Sequence, residues 1–99
     1  MTIDLIKTIE DWGIHLAYHE LPKGYYGCSR RFLDSYLIII NPDIPRQKQM
    51  DTVFHELAHI VLGHFDYDTD KTEAEMEREV DEFLQTNTYV LLEREETYG

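Results

Sequence analysis

Near the start of the chain, the spacing of the apolar residues is first typical of a helix and then typical of a strand. The first of them recur every three or four positions: Leu5, Ile6, Ile9 and Trp12. This spacing predicts a short amphipathic helix over residues 4–12, with Thr2 as a possible N-cap and Gly13 as its end. Over residues 14–21 the apolar positions nearly alternate, so we expect a strand with one exposed face.

Two further strands are predicted over residues 25–33 and 36–40, and the second is a dense β-branched run. Turn residues separate the three strands: Pro22-Lys23-Gly24 precede the second, and Asp34-Ser35 precede the third. Because short connections of this kind join neighbouring antiparallel strands, we expect a three-stranded antiparallel meander.

Two longer helices are predicted in the second half of the chain. The prolines of residues 41–45 end the last strand, and apolar residues then recur at helical spacing as far as Gly63. The final helix has a narrower inner stripe: Met76, Val80, Phe83, Leu84 and Asn87. Thr72 can cap it together with Glu75, three residues further on. The predicted order is α-β-β-β-α-α, in a single α+β domain over residues 1–99.

Composition and charge narrow the functions that such a domain can have. Of the 99 residues, 42% are hydrophobic, which is enough apolar material for one core. The net charge of −11 has the wrong sign for binding nucleic acid or an anionic membrane. The chain has one cysteine, Cys28, and its longest aliphatic run is too short to cross a bilayer. We therefore expect a cytoplasmic protein that binds neither nucleic acid nor membrane.

The candidate chemistry lies in the helix that ends near Gly63, where His55, Glu56 and His59 form the motif H-E-x-x-H. Two imidazoles four residues apart project from one helix face, so both can bind one metal ion. Glu56 lies about 100° round the helix from His55, where its carboxylate can contact a water on the metal. Metal-assisted hydrolysis requires this geometry, because zinc lowers the pKa of its bound water to about 7 and a carboxylate takes the proton. A pair of exposed surface histidines is the alternative, but the helix is apolar at nearly every other position.

A catalytic zinc needs a third protein ligand and an open position. His64 does not fit the spacing H-E-x-x-H-x-x-G-x-x-H, so we expect it to interact with the dipole at the helix end. In the last helix, Glu73 and Glu77 lie on or beside the inner stripe centred near Val80. Glu77 is favoured, because Asp81 one turn later can accept a hydrogen bond from a ligating histidine, and Glu73 is the alternative. The remaining glutamates of this helix are expected to face solvent: Glu75, Glu79 and Glu82.

The segment HELAHIVLGH over residues 55–64, followed by EREVDEF over residues 77–83, resembles the ImmA/IrrE family of small zinc metallopeptidases. Members of that family join H-E-x-x-H to a downstream E-x-x-A-[ND]-x-F segment, in which Val80 here replaces the usual alanine. The resemblance implies a zincin-like, minigluzincin-like domain in which His55, His59 and Glu77 hold zinc and Glu56 is the general base. It also implies an endopeptidase that acts on a separate repressor-type transcription regulator, as in phages, mobile elements or stress responses.

Other functions are compatible with the same residues. A zinc-containing regulatory module could sequester a repressor or toxin partner without cutting it. A purely structural metal site would need a fourth protein ligand, for which His64 is the nearest candidate. In a peptidase, Tyr67, His64 or His19 could stabilise the oxyanion, and a strand from residues 14–21 or 25–32 could pair with an extended substrate.

Overall fold

The computed structural model describes residues 1–66 and 69–90, and these form an α+β fold with three helices and two small sheets. The helices are α1 (Leu5–Asp11), α2 (Arg46–Val61) and α3 (Glu73–Thr86). The strands are β1 (Thr2–Asp4), β2 (Ile14–Tyr18), β3 (Gly27–Phe32), β4 (Ser35–Ile40) and β5 (Thr88–Val90). The α+β class and the three helices agree with the sequence prediction.

The larger sheet has the strand order β2-β4-β3, which differs from the predicted meander. Strands β3 and β4 form the expected antiparallel hairpin, in which Phe32 pairs with Ser35. Strand β2 instead lies beside β4 and runs parallel to it, so the prediction of a fully antiparallel sheet is wrong. The physical reason is that β4 is strongly apolar and takes the central position of the sheet. There it has a hydrogen-bonded neighbour along each of its edges. Strand β3 forms part of the crossover that a parallel pair requires.

The smaller sheet joins the two ends of the described chain. Strands β1 and β5 are parallel, and Ile3 is paired with Tyr89. Neither strand was predicted, because three residues are too few to show a period. The N-cap of α1 is also one that the sequence analysis did not select: Asp4, rather than Thr2, accepts a hydrogen bond from the Lys7 N–H at 3.2 Å.

The core lies between α2 and the larger sheet, and α3 packs against α2. Its most deeply buried side chains come from β4, α2 and α3: Ile38, Ile40, Leu57, Ile60 and Val80. The apolar spacing of both long helices therefore marks their buried faces, as predicted. The predicted cap of α3 is confirmed as well, since the Glu75 N–H donates to Thr72 Oγ1 at 3.1 Å. Within the described ranges, no helix is both long enough and apolar enough to span a membrane.

Gly27 allows β3 to lie close to α2. A Cβ atom at this position would lie 2.6 Å from Thr52 Cγ2 and 2.8 Å from the Ile39 carbonyl oxygen. Both distances are shorter than side-chain carbons tolerate, so glycine is required for this close approach. The approach brings Ser29 of β3 against Glu56 of α2.

Candidate metal centre

The predicted metal ligands meet between α2 and α3. The Nε2 atoms of His55 and His59 lie 3.3 Å apart. Glu77 reaches both from α3, with Oε1 at 3.0 Å from His59 Nε2 and Oε2 at 3.1 Å from His55 Nε2. One ligand atom from each residue lies within 4.8 Å of the others, and the described residues contain no second group of this kind.

The chemistry and spacing of these atoms fit a zinc ion. Bonds of about 2.0–2.1 Å in tetrahedral geometry place ligand atoms about 3.3 Å apart. The observed separations of 3.0–3.3 Å are close to that value. Two imidazoles with one carboxylate are a ligand set that zinc accepts, and three protein ligands is the number found at catalytic rather than structural zinc sites.

The protonation state of His59 also suits metal binding. Its side chain is 13% exposed, against 36% for His55. Burial lowers the pKa of His59 below its ordinary value, although the carboxylates of Glu56 and Glu77 oppose the change. The imidazole is therefore neutral at neutral pH, which is the form that binds a metal.

Glu56, the predicted general base, contacts β3 and lines the cleft beside the candidate ligands. Its carboxylate is half-buried, and Oε2 accepts a hydrogen bond from Ser29 Oγ on β3. Glu56 shares an open cleft of about 450 Å³ with His59 and Glu77, so the candidate base and two of the candidate ligands face the same space. The contact with Ser29 was not predicted, because it depends on the register of β3 against α2.

Of the other predicted candidates, Glu73 lines the same cleft as Glu56, His59 and Glu77. Glu73 and Asp81 are exposed, and in the described part of the chain Asp81 makes no hydrogen bond to either histidine of the motif. No contact therefore supports the predicted role of Asp81 as the hydrogen-bond acceptor for a ligating histidine. His19 is exposed, and its Nδ1 lies 2.8 Å from the Glu20 carbonyl oxygen. Tyr67 lies outside the described residues.

His64 has a more specific position than the sequence analysis assigned. Its side chain is only 2% exposed, and its Nδ1 lies 2.8 Å from Nδ1 of His59. It contacts Nδ1 of His59, whereas Nε2 of His59 contacts Glu77, so His64 is not placed as a fourth metal ligand. Gly63, at a φ of +76°, ends the α2 region and reverses the chain so that His64 folds back.

Glu79 was expected to face solvent, and its side chain is 34% exposed, but it also makes contacts that were not predicted. Its Oε1 lies 2.7 Å from His64 Nε2, and Lys71 Nζ donates to both carboxylate oxygens at 2.8 and 3.0 Å. The hydrogen bonds from Lys71 and then from His64 hold the pKa of Glu79 below its usual range. A helical wheel places Glu79 on the flank of α3 opposite to Glu77, but it cannot show that the turn after α2 brings His64 to that flank.

The H-E-x-x-H motif of α2 and Glu77 of α3 meet beside a small sheet. This arrangement is typical of a metallopeptidase-type domain. Comparison with family models supports this class: residues 9–98 match the Peptidase M78 family, described as the IrrE N-terminal-like domain. The chain belongs to this family, which confirms the resemblance predicted from its two motifs. No curated protein and no solved structure matches the chain significantly.

Proposed function

We propose that this protein is a zinc-dependent metalloendopeptidase that hydrolyses a peptide bond in a protein substrate. The observation that carries the proposal is the convergence of His55, His59 and Glu77 at 3.0–3.3 Å, with Glu56 in the same cleft. Membership of the Peptidase M78 family points to the same class of reaction.

The reaction assigns a separate role to each part of the site. A bound zinc ion would lower the pKa of a coordinated water and polarise the substrate carbonyl. Glu56 would accept a proton from the attacking water as the water oxygen bonds to the carbonyl carbon. It would then give the proton to the leaving nitrogen as the C–N bond breaks, so that one water is consumed and a carboxyl and an amino group form. Ser29 would keep the Glu56 carboxylate oriented during both transfers.

We propose that the substrate lies along β3. This strand is at one edge of the sheet order β2-β4-β3, and it contacts Glu56 through Ser29, whereas no such contact is seen for β2 among the described residues. A second cleft of about 330 Å³ adjoins Glu56 beside His55, and Tyr25 and Gly27 line both clefts. An extended peptide paired with β3 would pass from one cleft to the other and cross the candidate general base.

A separate repressor-type transcription regulator is the substrate that we propose. The family resemblance supports this class of substrate. The net charge of −11 favours a basic surface on the partner.

The test of this proposal compares the zinc-loaded wild type with Glu56→Gln on a proteome-derived peptide library, with new peptide ends read by mass spectrometry. The variant should bind zinc as the wild type does but lose cleavage by about 100-fold or more, since a positioned base contributes 10²–10⁴-fold. Glu82→Gln, an exposed change of the same kind on α3, should cleave as the wild type does. Equal cleavage by wild type and Glu56→Gln would contradict the role of Glu56.

The second candidate function is a zinc-containing module that sequesters its partner without cutting it. The exposed aromatic residues Tyr25 and Tyr26 beside the cleft favour a binding surface there. A stable complex that co-elutes with an intact repressor, together with no cleavage of the library by the wild type, would favour this function.

A further inference from the structure

A continuous chain of hydrogen bonds leads away from the metal centre on the far side of His59. Nε2 of His59 faces His55 and Glu77, whereas its Nδ1 lies 2.8 Å from Nδ1 of His64. Nε2 of His64 in turn lies 2.7 Å from Glu79 Oε1, and Lys71 Nζ donates to both oxygens of that carboxylate. Four side chains are thus joined in one line. His59 belongs to α2 and His64 follows it, whereas Lys71 precedes α3 and Glu79 belongs to α3.

When a metal ion is bound at Nε2 of His59, the order of donors and acceptors in this line determines where the protons lie. The Glu79 carboxylate can only accept, so Nε2 of His64 carries a hydrogen and donates to it. A neutral His64 then has its lone pair on Nδ1, which accepts a hydrogen bond from Nδ1–H of His59. In this arrangement Nε2 of His59 has no hydrogen, and its lone pair is free for a metal ion, which would lie between this nitrogen, His55 and Glu77.

The burial of these groups makes the arrangement specific. The side chain of His64 is 2% exposed and that of His59 is 13% exposed, so solvent can replace little of their hydrogen bonding. Buried polar atoms without partners are costly, and with a metal ion on Nε2 of His59 this is the pattern in which each nitrogen of the two neutral rings has a partner. Lys71 and Glu79, at 39% and 34% exposed, join the line to the surface.

We propose that His64 and Glu79 are positioning residues, which hold His59 in the tautomer and ring orientation in which its Nε2 binds the metal ion. This inference rests on the metal centre of the proposed function. A histidine and a carboxylate behind a ligating histidine do what a single carboxylate or carbonyl does at many metal sites: they fix the ring and raise its basicity. They take the place that the sequence analysis gave to Asp81.

The test measures zinc affinity by competition with a chromophoric chelator. His64→Phe keeps a planar ring but cannot accept the hydrogen bond, and it should weaken zinc binding by about 10–100-fold. Glu79→Gln keeps the shape of the side chain and should weaken binding less, by about 10-fold. Glu82→Gln, the same change at an exposed position of α3, should leave the affinity unchanged. If His64→Phe does not fold, Glu79→Gln still tests the inference.

A second measurement detects the tautomers themselves. Two-bond ¹⁵N–¹H correlation spectra of the zinc-loaded wild type should place the ring hydrogen of His59 on Nδ1 and that of His64 on Nε2. A merely structural role for His64 would not require this pair of tautomers, and the opposite assignment would overturn the inference.

The outcomes separate this inference from the proposed function. If the wild type binds zinc and both His64→Phe and Glu79→Gln bind it equally well, the inference is wrong while the metal centre stands. The same conclusion follows if Asp81→Asn weakens binding and Glu79→Gln does not. If the wild type binds no zinc, the metal centre fails and the inference fails with it.

Discussion

At the scale of single residues, Tyr89 has the least satisfied polar group of the core. Its side chain is 5% exposed, and its ring stacks on Phe54 with centroids 5.4 Å apart. Among the described residues, its hydroxyl is buried without a hydrogen-bond partner. Burial raises the pKa of Tyr89 to about 12, because the ionised form would lose its hydration.

Replacement of Tyr89 by phenylalanine should therefore cost little at neutral pH. The ring packing is kept and an unpaired hydroxyl is removed, so the free energy of unfolding should stay equal or rise by up to about 1 kcal/mol. Urea unfolding at pH 7 measures this, with Tyr25→Phe at an exposed position as the control. A loss of more than about 1 kcal/mol would show that the hydroxyl has a partner.

The same residue predicts a change at alkaline pH. The pKa of Tyr89 is raised from 10.0 to about 12 by folding, so the folded state holds this proton more tightly than the unfolded state. The stability linked to this proton is fully present below pH 10 and is lost as the pH rises toward 12. Wild-type stability should therefore fall more steeply over this range than that of Tyr89→Phe, as measured by urea unfolding at a series of pH values. Equal slopes would contradict the assigned shift.

At the scale of elements, the close approach of β3 to α2 links the fold to the candidate chemistry. Gly27 permits this approach, and Ser29 two residues later holds Glu56. Within three residues, β3 therefore contains one residue that the close packing requires, Gly27, and one that contacts Glu56, Ser29. A disturbance at Gly27 should therefore reach Glu56, the candidate general base, through Ser29.

Gly27→Ala should destabilise the protein by about 1–3 kcal/mol, the usual cost of overpacking. The new methyl group would collide with Thr52 Cγ2 and with the Ile39 carbonyl oxygen, so β3 must move away from α2. Adding Thr52→Ala should recover part of the loss, because it removes one of the two obstacles. Urea unfolding of the single and double variants checks both statements, and a fully stable Gly27→Ala would contradict the described packing.

The helices and the motif could be predicted from the sequence because their information is local. The apolar period fixed the faces of α2 and α3, and H-E-x-x-H needs only one helix to bring His55 and His59 together. The order of the strands could not be predicted, because a sheet order depends on which edges of β4 are covered. The link from His64 to Glu79 also depends on the path of the chain after α2, which no periodicity in the sequence records.

At the scale of the whole molecule, the candidate metal centre joins two helices that are far apart in the sequence. His55 and His59 come from α2 and Glu77 from α3. A metal ion bound at all three residues in the folded state, and not in the unfolded chain, would stabilise the packing of these helices.

Zinc should therefore raise the free energy of unfolding, by about 2.7 kcal/mol when free zinc is 100 times its dissociation constant. The thermal midpoint should rise on zinc addition and return to its original value when a chelator is added. His59→Ala should show no such rise, since it lacks a central ligand. An equal rise in this variant would mean that zinc binds elsewhere.

The most direct test of the account is the zinc affinity and stoichiometry of the wild type, Glu77→Ala and Glu73→Ala. Both variants remove a glutamate from α3, but only Glu77 lies against the two histidines. We predict one equivalent of tightly bound zinc in the wild type and in Glu73→Ala, and a large loss of affinity in Glu77→Ala. Unchanged binding in Glu77→Ala, or a loss in Glu73→Ala instead, would contradict the assignment of the metal centre.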